Sequence, residues 1–445
     1  MIFLFLVFIL LLSCSALLLA LKVSGDATYH TISRASVIAV LFVMFDPSIP
    51  ALSRLHPSSL ITPSASTLGI FFKLCIYLFS FLLVLPDKYA FARNLPANLL
   101  IFSRENIFIA ALYILILLSL LWSTHFETTF DAIFFGLSTT TLIAIYLGRQ
   151  LDSSIFFESL KWAWTIVVVL SIAMPGESHK GWGGIIGHPN QFGVIAALSA
   201  IIWHINFVRN SHKLVDVGIS TLFFALSLLT LIRTNSATSL MIFLVLFTVA
   251  TLVELEGKLG LKLRFGYKTF VCFTLAVFMT AIIAAVLLSL NLEYVLGLFG
   301  RDLTFTGRTN IWPALIDAAK QRPYVGYGLG GFWQSWRGVE NPALYIVSPG
   351  GWVPPNAHNG FLDLVLETGL LGLLLFFLSY IKNLRRALLY LQVSRSSEAT
   401  LILIILLLIP LMNLSETKLL GSTYPWFYYI LISAKLSFVK RWSEK

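Results

Sequence analysis

The sequence predicts an all-α protein: a polytopic integral-membrane helix bundle of about twelve or thirteen transmembrane helices, with a long, partly helical loop on one face. Three observations predict it. Hydrophobic residues make up 58 % of the 445 and charged residues only 12 %, a balance far from that of water-soluble domains. Apolar runs long enough to cross a hydrocarbon core, about 20 residues each, follow one another along most of the chain. The lysines and arginines gather in alternate connections between those runs, as they do in a chain that weaves through a bilayer.

In order, the runs fall at about 2–21, 35–48, 67–86, 105–122, 129–147, 157–174, 190–207, 216–232, 236–254, 268–291, 359–381, 399–414 and 422–438. The first has neither a basic leader nor a small-residue cleavage site, so it reads as a retained helix rather than a signal peptide. The whole of 1–445 then forms one polytopic membrane domain, with 293–357 as a large loop inside it. Cys14, Cys75 and Cys272 each sit alone in an apolar run; without neighbours at ligand spacing they form no zinc or redox site.

The basic residues set the orientation. Lys440, Arg441 and Lys445 in the tail, Lys382, Arg385 and Arg386, and Lys258, Lys262, Arg264 and Lys268 fall on one side by parity. So do Arg209 with Lys213, Arg149, and Lys88, Arg93 and Arg104. That side is cytoplasmic, since Lys and Arg concentrate there. The net charge of +10 is thus a topology signal and gives no reason to expect a nucleic-acid partner. The opposite set of loops, about 48–66, 175–189, 233–235, 293–357 and 415–421, faces outward and carries the suspicious polar clusters.

Within the long outer loop, "TGRTNIWPALIDAAKQRP" predicts a helix of about eleven residues, capped by Thr309 or Asn310, with Pro313 in its first turn and Arg322-Pro323 at its end. Arg308 then stands at a helix N-terminus, where free amides and the dipole favour an anion; pairing with Asp302 or a lipid headgroup is the simpler alternative. "GYGLGGF", Gly326 to Phe332, matches a nucleotide fingerprint by letter only, because no strand or Rossmann unit surrounds it. Backbone bending under a substrate, or beneath Trp333 and Trp336, suits it better.

Pro354 and Pro355 precede His358 and Asn359, with Asn356 as a candidate cap, which puts His358 at the first turn of a membrane helix. A neutral imidazole there can accept a proton from a hydroxyl near neutral pH, or serve only as an interfacial hydrogen-bonding group. Asp363 and Glu367 share one face of that helix at i, i+4 spacing, one to two turns into the bilayer, where acids are costly; polar contact between helices accounts for them as well as catalysis does. "GHPNQFG", Gly187 to Gly193, repeats the arrangement of a His and an Asn at a helix start, with Pro189 suited to the first turn. "LIRTNSATS" puts Arg233 at the outer end of one helix, with Ser236 and Thr238 opening the next. Arg233, Arg308 and His358 all project to one interface from distant parts of the chain. Two fixed cations beside a base suit an anionic, lipid-linked substrate.

With these motifs the chain resembles the O-antigen ligase and polysaccharide polymerase family of bacterial inner-membrane proteins. The resemblance is carried by "GHPNQFG", "RTNSATS", "TGRTNIWPALIDAAKQRPYVGYGLGGFW" and "WVPPNAHNGFLDLVLETGLLG", across about 180–380; the first 150 residues match in hydropathy alone. "TFTGRT" and "WVPPNAHNGFLDL" look most like the exopolysaccharide polymerase branch. The resemblance implies a periplasmic-face, inverting glycosyltransferase that uses undecaprenyl-pyrophosphate-linked oligosaccharides as donor and acceptor, with no cofactor, nucleotide sugar or metal.

It places the family arginines on Arg233 and Arg308, to hold the pyrophosphate as it leaves, and the family histidine on His358, to position or deprotonate the acceptor. His188, Asn190, Gly307, Trp312, Gly328 and Asn359 are candidates for substrate contact. Membrane lipids, a chain-length regulator and a flippase are the partners such a reaction implies. Relatives often carry Ser-Arg-Gly or Ser-Arg-Ser where this chain has Ile232-Arg233-Thr234-Asn235, and Glu416 sits where many place a polar residue of unassigned role. The outer loops show no Asp-x-Asp, and Asp46 stands alone, which favours a site built from cations. Ligation of glycan to a lipid A core sugar is the alternative within the same chemistry. A lipid-linked glycan transporter or flippase would carry internal repeats and mid-membrane charges, and neither is evident.

Overall fold

The computed structural model describes residues 37, 94–173, 177–178, 181–259, 308–334, 342–343, 346, 354–421 and 423–438. The predicted runs 2–21, 35–48 (apart from Val37), 67–86 and 268–291 lie outside them, as do the three cysteines and Gly307. The described chain is an all-α bundle, α1 Leu95–Glu105, α2 Ile107–Leu118, α3 Phe126–Gln150, α4 Ser153–Ala173, α5 Pro189–Arg209, α6 Leu214–Arg233, α7 Ala237–Leu259, α8 Arg308–Gln321, α9 Gly360–Ser394, α10 Ser397–Asn413 and α11 Tyr424–Phe438. Two strands of two residues each, Glu177–Ser178 and Gly181–Trp182, pair antiparallel before α5.

Among the described residues six helices are long and apolar enough to cross a membrane, or seven if the bent pair α1 and α2 forms one span. The nine predicted runs in this part of the chain each contain a helix, and the protein is multi-pass. The most buried helices are α10 and α11, 17 and 15 residues long. α10 and α11 are apolar on all sides and sheathed by the others, so protein rather than lipid covers them and their length need not match a bilayer. α6 lies at the rim, with Leu222, Leu229 and Ile232 outward.

The two ends of the bundle differ. At one end two of the basic residues that mark the predicted cytoplasmic side are paired, Arg386 with Glu105 and Arg209 Nε with Glu254 at 2.7 Å, and Lys435 pairs with Glu398 at 3.0 Å. Arg209 also donates to the Arg395 carbonyl, and Thr400 to Glu254. These contacts tie α1, α5, α7, α9, α10 and α11 together; at the Lys435–Glu398 pair, buried on both sides, removal of one partner would strand a charge in a low-dielectric interior. The other end gathers residues 181–190, 233–236, 326–334, 357–360 and 413–418, which fall at or beside loops predicted to face outward, together with the α2–α3 turn at 122–128.

α9 departs from prediction. It runs 35 residues, but Gly369 sits at φ 69°, ψ −174° and divides it. Four carbonyls and four amides lose helical partners at such a break, and the loop after α8 supplies replacements. Tyr327 and Gly328 amides donate to the Leu366 and Glu367 carbonyls (2.8 and 2.9 Å), while Leu370 and Leu371 amides donate to the Pro323 and Tyr324 carbonyls (2.7 and 3.2 Å). "PYVGYG" is thus plugged into the broken helix. Beyond the break, 370–394 is long enough to cross a bilayer alone, at about 1.5 Å per residue. The segment carrying Asp363 and Glu367 precedes the break, so the two acids sit on a short helix of their own rather than on one unbroken helix. Their carboxylates meet the loop: Gly330 N–H donates to Glu367 at 3.2 Å and Trp333 Nε1 to Asp363 at 2.7 Å.

The far side of the plugged loop rests on the α2–α3 turn. Arg322 donates to the Trp122 carbonyl at 3.1 Å, Thr124 donates to the Gly331 carbonyl, and Gly328 packs on Ser123. Tyr327 donates its hydroxyl to Ala318 at 3.0 Å. Burial lifts that phenol above its ordinary range, against the opposing Arg322 guanidinium over its ring, so the hydroxyl stays a donor.

Candidate functional site

Two helix starts carry the histidines. His188 occupies the N-cap position of α5 with Pro189 at the first helical position, as the sequence predicts; proline is tolerated there because its missing N–H has no helical acceptor to lose. In the second motif Asn359 is the cap, its Oδ1 accepting from Phe361 and Leu362 amides at 3.0 and 3.1 Å. His358 immediately precedes it with φ 51°, a left-handed conformation uncommon for a side chain of this size. Asn356, expected as the cap, instead accepts from the His358 amide at 3.0 Å and closes a turn that presents His358. The reason is spacing: Asn356 is too early to reach the free amides of the first turn.

Glu416 joins the two starts. Its carboxylate accepts from Asn190 Nδ2 at 2.9 Å, and its carbonyl accepts from the Gly360 amide at 3.1 Å. Asn190 is bonded further, its Oδ1 accepting from Ser236 at 2.8 Å and its carbonyl from Ser239 at 2.9 Å. Ser236 also caps α7, accepting from the Ser239 amide at 3.2 Å. Asn190, singled out by sequence as a substrate contact, is in the structure a cross-link among α5, α7 and the α10–α11 turn. Gly360 packs tightly on Asn413, whose Oδ1 accepts from the Lys418 amide at 2.8 Å. Glu416 and Asn413 escaped a functional assignment from sequence. Their signal was only that polar residues cluster at a helix end, and the Asn190 partner of Glu416 lies 226 positions away.

Removing Asn190 should unsettle this cluster. Asn190→Ala removes the bonds that Asn190 makes to Ser236 and Glu416, both buried, at a cost of about 2 kcal/mol. The expected result is a lower thermal midpoint in detergent with the protein still monodisperse; an unchanged midpoint would mean the cross-link contributes nothing.

Arg233 ends α6 with its side chain exposed and its guanidinium 4.5 Å from the centre of the Trp182 ring. Trp182 in turn packs edge-on against Phe192 of α5, and Gly181 lies against the Thr234 carbonyl. These contacts hold Arg233 beside the His188 segment. A guanidinium over an aromatic face keeps its edge N–H groups available for an anion.

Arg308 opens α8, so Thr309 and Asn310 lie within the helix instead of capping it, and Pro313 stands past the first turn. The helix therefore begins earlier and runs 14 residues, longer than predicted. One turn on from Arg308, Trp312 Nε1 donates to the Ala357 carbonyl at 3.0 Å, next to His358. Trp312 is thus a tether for the His358 turn. Gly328, another predicted substrate contact, gives its amide to Glu367 and serves the plugged loop.

The predicted residues accordingly divide. His188, Asn190, Arg233, Trp312, His358 and Asn359, with the backbone of Arg308, sit at one end of the bundle, linked through Glu416, Trp182 and Ala357. The arrangement offers cations, two imidazoles at helix starts and a pair of helix N-termini, a surrounding that stabilises negative charge.

Comparison with known proteins agrees in character. Residues 222–377 match the family model described as O-antigen ligase. A stretch of 88 residues is 42 % identical to the exopolysaccharide production protein ExoQ of Rhizobium meliloti (strain 1021), covering 19 % of this chain and 20 % of that protein. The chain is thus similar to about a fifth of that relative's length. The resemblance to the O-antigen ligase-like family, on its exopolysaccharide side, is borne out.

Proposed function

From the O-antigen ligase match of residues 222–377, we propose that this chain is a periplasmic-face glycosyltransferase of the bacterial inner membrane. It polymerises undecaprenyl-pyrophosphate-linked repeat units in exopolysaccharide or O-antigen biosynthesis. The observation that carries the reading is the gathering of His188, Arg233, His358 and the start of α8 at the end of the bundle opposite the paired cytoplasmic charges. Similarity to a protein of exopolysaccharide production supports the substrate class.

In the reaction, a sugar hydroxyl of the acceptor attacks the anomeric carbon of the donor. A new C–O bond forms, the bond to pyrophosphate breaks, and the configuration inverts. Arg308 and Arg233 hold the pyrophosphate and stabilise its charge as it departs on the polyprenyl chain. His358 orients the hydroxyl and takes its proton. Pyrophosphate leaves readily, so positioning and charge stabilisation suffice and no metal or nucleotide sugar takes part. His188 and Asn359 line the glycan path. A flippase delivers the substrate and a chain-length regulator limits the product.

The test is purified protein supplied with lipid-linked repeat units. Ladders lengthening on the polyprenyl carrier are expected, and Arg308→Ala should slow them by about 10²- to 10³-fold, as for loss of one anion-stabilising group. Glycan appearing only on lipid A core would replace polymerase by ligase. Movement of intact substrate across vesicles without any new glycosidic bond would overturn the enzymatic reading altogether.

A further inference from the structure

Asp363 is buried, at 3 % exposure, and three segments of the chain converge on its carboxylate. The Ala357 amide donates to both oxygens, at 3.2 and 3.1 Å. The Trp333 indole donates to Oδ1 at 2.7 Å, and the Thr417 hydroxyl donates to Oδ2. An ionised carboxylate is an acceptor-only group with room for about four hydrogen bonds, so this set of donors matches it. Asp363 also sits in the first turn of α9, where the helix dipole favours a negative charge.

The anchored amide belongs to the residue before His358. Ala357 is held on its other side by Trp312, and His358 takes a left-handed φ of 51° that must be over-determined by its surroundings to persist. Thr417 adjoins Glu416, which binds the Asn190 helix start. The carboxylate therefore stands where the plugged loop, the His358 turn and the α10–α11 turn meet.

We propose that Asp363 is a positioning residue for the transfer: its carboxylate pins the Ala357 amide and so fixes the imidazole of His358 relative to the loop that carries Arg308. This rests on the glycosyltransferase reading above. Asp363 touches no substrate; it acts through His358.

The experiment is steady-state polymerisation by Asp363→Ala, Asp363→Asn, His358→Asn and the double variant Asp363→Ala/His358→Asn. Misplacing a reacting group by about 1 Å costs on the order of 10²-fold, so Asp363→Ala should lower kcat by about that factor with KM within about twofold. Asparagine can accept from Trp333 and Ala357 and donate to Thr417, so Asp363→Asn should restore most of kcat. Asp363→Ala should cause no further loss in the His358→Asn background, because the two residues act as one unit.

A wild-type kcat for Asp363→Ala, or losses that multiply in the double variant, overturns the proposal. If Asp363→Ala fails to fold, the pair Trp333→Phe and Thr417→Val removes two of the three donors that fix the carboxylate and leaves it the Ala357 amide, and a kcat loss at constant KM is expected of it; wild-type kcat there is likewise fatal. A wild-type rate for His358→Asn also overturns the proposal, since the imidazole would then have no part in the chemistry; a wild-type protein that polymerises nothing would instead remove the glycosyltransferase reading, a separate outcome from failure of the positioning role.

Discussion

His358→Asn is expected to slow chain growth by about 10²- to 10⁴-fold, the range for loss of a positioned general base, while leaving the protein folded. Asparagine is chosen because the native residue sits at φ 51°, and asparagine tolerates that left-handed backbone better than most residues. The turn made by Asn356 uses only the position's backbone amide, and the α9 cap belongs to Asn359. Neither depends on the imidazole. The loss should fall on kcat if the ring takes the acceptor's proton, and on kcat and KM together if it orients the acceptor. Product ladders from lipid-linked repeat units, taken over a range of acceptor concentrations, separate the two. A wild-type rate would show that His358 has no part in the chemistry.

Gly369→Val is expected to destroy the plugged loop. With φ 69° and ψ −174°, position 369 lies in a region essentially confined to glycine, and a Cβ there would overlap the Tyr324 carbonyl and the Val325 amide. Backbone, rather than a flexible side-chain end, blocks the space. The loop must leave, and with it go the four backbone hydrogen bonds that complete the broken helix. Buried backbone groups left unpaired, together with strain, put the expected cost above about 4 kcal/mol, within the exceptional class of single substitutions. In detergent this should appear as loss of cooperative melting and rapid cleavage of 322–334 by a broad-specificity protease. Retention of the native midpoint and of protease protection would mean that the loop is held by something other than the break.

Local patterns in the sequence reported the helices well. Hydropathy placed α2 to α7 and α9 to α11, because a lipid-facing helix must be apolar over a length set by the bilayer. The Pro189 start and the Ser236 cap were legible for a similar reason: capping is a matter of three or four adjacent residues. Where prediction slipped, the deciding contact was remote. Asn356 looked like the cap, but Asn359 is the one within reach of the first-turn amides. "GYGLGGF" read as a backbone bend, and Gly326, Gly328 and Gly330 do take positive φ, but the sequence did not show that the bend fills a gap in a helix it presented as unbroken. Nor did it show that Asn190 hydrogen-bonds Glu416, 226 positions away.

What the sequence determined by itself is the membrane-spanning character, the alternation of basic and polar ends, and the presence of histidines and arginines at the starts and ends of helices. Hydrophobicity and capping act over a turn or a bilayer width, so composition and spacing record them directly. Only the tertiary structure decided that α9 is interrupted at Gly369, that "PYVGYG" repairs it, and that Asp363 and Glu416 knit separate helix starts together. Those outcomes depend on which backbone groups lack a local partner, and an unpaired amide or carbonyl is answered by whatever the fold brings beside it.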